Sequence, residues 1–116
     1  MNMLFILNDP PYGSERSYNG LRHATSIAKT EGADVRIFLM ADAVSCAKRG
    51  QKTPDGYYNL EKMLTVVGRR CSSIGACGSC LDARGVKPED LHESVHRSSM
   101  EELTEWTLWA DKVIVY

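Results

Sequence analysis

Apolar and polar positions alternate along this chain in two different rhythms. Met3 to Leu7 is a continuous apolar run, the pattern of a strand buried on both faces. Val35 to Met40, apolar but for Arg36, reads as a second buried strand, and Val113 to Tyr116 as a final one. Between them apolar residues recur at helical spacing. Leu21, Ala24, Ile27 and Ala28 form one stripe, in a helix expected to begin near Ser14 to Ser17 and to end before Gly32. Leu60, Met63, Leu64 and Val67 form another, in a helix read from Tyr57 onward. Ser72 to Ala76 reads as a short strand leading directly into a helix-like run.

Smaller signals fill the intervals. Turn formers are gathered in Asn8-Asp9-Pro10-Pro11-Tyr12-Gly13, a stiff loop after the first apolar run. Asp42 is placed to cap a short helix through Val44 to Lys48. Arg49 to Gly56 is polar and rich in breakers, and reads as a mobile loop. Pro88-Glu89-Asp90 opens a turn, and Leu91 to Val95 is read as a brief edge strand. Ser98 with Glu101, or Ser99 with Glu102, starts a last helix carrying Leu103, Trp106 and Ala110. Strands separated by helices imply a parallel sheet with helices on both faces, a three-layer α/β/α domain over residues 1–116. Such sheets bind ligands at the carboxyl ends of their strands. Three loops should therefore converge on one edge: Asn8 to Gly13, Ala41 to Ala43, and Ala76 to Cys80.

Composition narrows the function classes. The chain has 116 residues, enough for a core, with 43 % hydrophobic and 25 % charged residues. Fourteen Lys and Arg against fifteen Asp and Glu give a net charge of -1, which argues against a dedicated nucleic-acid binder. No apolar run approaches the length of a membrane span. The first nine residues lack a basic region and reach Asp9 early, so no signal peptide is read there and a cytoplasmic location is expected. In a reducing compartment, four cysteines point to catalysis or metal rather than to disulfide staples.

Those cysteines are unequal. Cys46 and Cys71 stand alone and read as small buried hydrophobes. Cys77-Gly78-Ser79-Cys80 places two thiols three apart where a strand gives way to a helix. The N–H groups of Gly78 and Ser79, at a helix start, would favour the reactive thiolate. Arg84 lies further along the same run, available to the site or to an ion pair with Asp82 or Glu89. Asp9 and Tyr12 either line the pocket or organise their loop.

The motifs Asp9-Pro-Pro-Tyr-Gly13, Ser17-Tyr-Asn19, Leu21-Arg22, Cys77-Gly-Ser-Cys-Leu-Asp-Ala-Arg-Gly85 and Ser99-Met-Glu-Glu-Leu103 to Trp106 resemble the DsrE-like family of YchN-, DsrE- and TusD-type sulfur-relay proteins. The resemblance covers essentially the whole chain. It implies a five-stranded, mostly parallel sheet of order 4-3-2-1-5, and a homotrimeric or homohexameric assembly. It also implies a persulfide on Cys77, in a Cys…Arg-Gly pattern completed by Arg84 and Gly85, with no cofactor. Sulfur donor and acceptor proteins or small thiols would be the partners. Cys80 is extra to that minimal pattern and leaves room for an intramolecular disulfide. Three other readings stay open. A dithiol redox protein would use Cys77 and Cys80. A metal site would draw on Cys71, Cys77 and Cys80 with His92 or His96. A non-catalytic assembly subunit would need neither.

Overall fold

The computed structural model describes residues 1–116. Five strands form one sheet in the order β4-β3-β2-β1-β5, every neighbouring pair parallel. They are β1 (Asn2–Leu7), β2 (Asp34–Leu39), β3 (Ser73–Cys77), β4 (His96–Ser98) and β5 (Lys112–Val115). Four α-helices connect them: α1 (Arg16–Ile27), α2 (Leu60–Gly68), α3 (Gly78–Ala83) and α4 (Met100–Trp109). A 3₁₀ helix, Ala41–Ala47, follows β2.

The alternation of side chains along β1 divides the interior in two. Met3, Phe5 and Leu7 face a large core with Leu21 and Ala24 of α1, Val44 of the 3₁₀ helix, and Leu60, Leu64 and Val67 of α2. Leu4 faces the other way, into a small cluster with Phe38, Leu103 and Trp106. One face of the sheet is thus covered by most of the helices, and the other by α4 alone. Gly20 lets α1 sit close on β1: a methyl group there would lie 2.5 Å from a Leu7 methyl.

Three expectations shift against the structure. α2 begins at Leu60, not Tyr57, because the Asn59 side chain accepts the Lys62 N–H and caps it there. The residue before the 3₁₀ helix is Met40; Asp42 lies inside its first turn, and its carboxylate takes Arg84 instead of a backbone N–H. The fourth strand is His96–Ser98, not Leu91 to Val95. Pairing with Gly75 to Cys77 of β3 places it there, while Val95 turns into the core. The loop after the 3₁₀ helix is tied at its first half: Arg49 N–H donates to Asp90 O, and the Gln51 amide donates to Cys46 O and Lys48 O.

Candidate active site

β3 ends at Cys77, and the chain turns into α3 at the next residue. Cys77 is therefore both the last strand residue and the residue preceding the helix, at the carboxyl edge of the sheet. Its side chain is partly exposed and packs where both cores meet. The Sγ lies 3.3 Å from Ser79 Oγ. Burial alone would raise this thiol. Hydrogen bonds from the Cys80 and Ser79 side chains, and from the Cys80 and Ser79 backbone, outweigh it and bring the pKa below the usual thiol value. Cys80 goes the opposite way, raised by burial and by its bond to Cys77. The two other thiols are inert by the same logic: burial pushes Cys46 and Cys71 up to about 12.

Cys80 has its own donor. The Ala41 N–H points at Cys80 Sγ, 3.2 Å away. Ala41 adopts φ 52°, a left-handed conformation unusual for a residue with a Cβ, which costs about 1–2 kcal/mol. Strain of this kind is tolerated only where surrounding contacts impose it. Here Asp42 supplies one, accepting from Arg84 Nε and Nη2 at 3.0 and 2.8 Å. Arg84 Nη1 in turn donates to Cys80 O. The loop after β2 thus grips α3 from Ala41 to Asp42.

On the other flank, Arg97 of β4 makes a two-pronged pair with Asp82, both contacts 2.8 Å. Its guanidinium covers Gly78, where a Cβ would lie 2.9 Å from the guanidinium carbon. Glycine at this position lets a cation lie flat against the first residue of α3, next to Cys77. A groove of about 430 Å³ opens beside this pair, floored by Leu81, Val86, Leu91 and Val95.

The sequence candidates separate accordingly. Cys77, Gly78, Ser79 and Cys80 are together, and Arg84 joins them through the Cys80 carbonyl. The bonds of Asp9 and Tyr12 run elsewhere. Asp9 accepts from Ser14 through its side chain and from Ser17 through its carbonyl, both at 2.6 Å. The Tyr12 hydroxyl donates to Gln51 and accepts the Leu60 N–H. No three His, Cys, Asp or Glu side chains gather as a metal would require. Buried His92 spends its ring nitrogens on Thr65 Oγ1 and the Ser94 N–H. The Ala41 to Ala43 segment meets Cys80 at the carboxyl edge, where the sequence places it, although the backbone N–H that makes the contact has no side-chain signal. Arg97 is not legible in the sequence as a site residue, because it sits on a strand that only pairing reveals. No helix is long and apolar enough to cross a membrane.

An all-parallel sheet flanked by helices, with a cysteine pair at its carboxyl edge, defines the class as a three-layer α/β domain. Within that class the chain belongs to the DsrE/DsrF-like family, whose model matches residues 1–116. It is 38 % identical to Protein YchN of Escherichia coli (strain K12) over 115 residues, covering 98 % of this chain and 97 % of that one. It is also 38 % identical over 111 residues to MK0008 of Methanopyrus kandleri, an uncharacterized protein, covering 96 % and 90 % of the two chains. The crystal structure of YchN from E. coli superposes with a TM-score of 0.93 over 100 % of this chain and 99 % of that one. Family membership supports a role related to sulfur relay in general terms.

Proposed function

We propose that this chain is an intracellular, cytoplasmic sulfur-transfer protein that carries a persulfide on Cys77. The observation that supports this most directly is the contrast among its thiols. Cys77 is partly exposed, stabilised as thiolate by its neighbours, and located where parallel sheets do their chemistry. Its thiolate attacks the outer sulfur of a donor persulfide, forming the Cys77 persulfide and releasing the donor as a thiolate. An acceptor thiolate then takes the outer sulfur and restores Cys77. The hydrogen bonds that stabilise the thiolate also make Cys77 a good leaving group in the second step. Gly78 admits the Arg97 guanidinium against the start of α3, Ser79 Oγ lies beside the Cys77 sulfur, and Arg84 holds α3 in place. Asp9 and Tyr12 support the edge loop on which a donor or acceptor, protein or small thiol, would dock.

The test is intact mass spectrometry after incubation with inorganic polysulfide. An adduct of one sulfur atom mapping to Cys77, and lost in Cys77→Ser, is expected. An unmodified chain, or an adduct on Cys46 or Cys71, overturns the reading. The same reading expects a homotrimer or homohexamer by light scattering. Exposed apolar residues on the thinly covered sheet face and its edge, Val113 and Val115 with Leu108 of α4, support an assembly. A monomer at micromolar concentration would count against it.

A further inference from the structure

A one-cysteine carrier has no use for a second thiol with a donor of its own. Cys80, the third residue of α3, reaches back across the strand-to-helix turn and bonds to the Cys77 sulfur through its side chain. Sulfur atoms in such contact are within about 2 Å of disulfide bonding distance. The Ala41 N–H, held in a left-handed backbone conformation, meets the Cys80 sulfur at 3.2 Å. Asp42 and Arg84 lock that loop to the Cys80 carbonyl. Three separate contacts therefore position a sulfur that the transfer step does not require.

From this arrangement we infer a second activity, resting on the persulfide reading above: Cys80 resolves the Cys77 persulfide when no acceptor takes it, releasing hydrosulfide and leaving a Cys77–Cys80 disulfide.

The step balances as follows. The Cys80 sulfur attacks Cys77 Sγ, the inner sulfur of the persulfide. The Sγ–Sγ bond forms as the bond from Cys77 Sγ to the outer sulfur breaks. The outer sulfur leaves with that electron pair and takes the proton given up by the Cys80 thiol, departing as HS⁻. Sulfane sulfur is reduced to sulfide, and two cysteine thiols are oxidised to one disulfide. A dithiol reductant is the co-reactant that returns the disulfide to the starting pair. The difference between the two thiols fits this order of events: Cys77, held below the usual value, loads first, and Cys80, held above it, stays protonated until needed.

The Ala41 N–H serves as more than an anchor. It stabilises charge on Cys80 as the proton leaves, which the neighbouring Arg84 also favours. With the acceptor present, outer-sulfur transfer and inner-sulfur attack compete for the same persulfide. The chain would then divide its cargo between delivery and release according to acceptor supply.

The experiment loads the full chain with inorganic polysulfide, removes excess reagent, and follows three quantities without any acceptor: the one-sulfur adduct, free sulfide, and the Cys77–Cys80 disulfide by peptide mapping under acid quench. For the native chain, adduct loss should match sulfide and disulfide appearance, one for one. Cys80→Ser should hold the adduct at least about tenfold longer and form no such disulfide. Cys80→Ala, with native circular dichroism, should behave alike. Equal adduct lifetimes in the native and Cys80 variants, or sulfide release without the disulfide, overturn the inference while leaving the carrier reading intact. Failure of the Cys80 variants and the native chain alike to load any sulfur on Cys77 overturns the carrier reading itself, and the inference with it.

Discussion

Trp106 is the residue on which the thinly covered face of the sheet depends most. α4 buries only Leu103 and Trp106, and these meet Leu4 and Phe38 from the sheet. The Trp106 ring stands edge-on to Phe38 at 6.1 Å and to His96 at 5.9 Å. Trp106→Ala removes one of the helix's two anchors and leaves a cavity above Gly75, whose Cβ position lies 3.3 Å from the indole. Replacing a buried aromatic residue by alanine costs about 3–5 kcal/mol. A chain of this length has about 6–17 kcal/mol of stability in total. At about 2 cal/mol/K of unfolding entropy per residue, a loss of ~4 kcal/mol lowers Tm by about 16 °C. Urea unfolding followed by far-UV circular dichroism, at one protein concentration for both chains, measures the change. Because Cys77 packs against the same cluster, its alkylation should also accelerate. A loss below about 1 kcal/mol would refute the reasoning, for it would mean that α4 does not depend on this contact.

Three further outcomes are expected. Iodoacetamide should label Cys77 at lower pH than any other thiol, while Cys46 and Cys71, at about 12, label only on unfolding; equal rates across the four would remove the basis for choosing Cys77. Gly20→Ala should destabilise by about 1–3 kcal/mol in the same urea assay, since its methyl group would lie 2.5 Å from Leu7 in a closed core; an unchanged midpoint would show that α1 can shift freely. Glu102 accepts from Ser98 and pairs with His96; burial opposes its ionisation, but these partners hold its pKa below the usual glutamate value. A depressed carboxylate stabilises the fold above its unfolded pKa and loses that effect as pH falls through the folded value. Glu102→Gln should therefore be less stable than the native chain at neutral pH, with the difference shrinking into the acid range, and parallel stability-pH curves would contradict that.

The parts of this fold that local chemistry controls are the parts that the sequence displays. β1 is plain as the unbroken apolar run Met3 to Leu7, and β2 as Val35 to Leu39 interrupted only by Arg36, because both of their faces are covered. α1 is marked by its stripe. β4 is not visible, since His96-Arg97-Ser98 carries no apolar pattern and is a strand only because β3 offers an edge. Leu91 and Val95 look strand-like for a different reason: they turn inward to close the groove beside α3. Asp42 has the composition of a cap, yet a cation 42 residues away takes its carboxylate in place of the backbone. At the site, the Cys77-to-Cys80 block can be read directly because four consecutive residues across one strand-to-helix turn stay together whatever the rest of the fold does. The carboxyl-edge rule brings the segment after β2 to the same place, but not the left-handed turn that aims the Ala41 N–H, and nothing in the spacing connects the Arg97 guanidinium of β4 to the site.

The pairing of β1 with β5 has a consequence for how the molecule comes into being. β1 is the first strand made and sits inside the sheet, with Leu4 opposite Val113 and Ile6 opposite Val115. Until those distant partners emerge, one side of an apolar strand has open backbone groups. At about 5–20 residues per second, synthesis from Leu7 to Lys112 leaves that edge unsatisfied for about 5–20 s. The nascent chain must spend that interval with its most adhesive segment exposed, so its yield in a cell should depend on chaperone supply and on translation speed more than its finished stability would indicate.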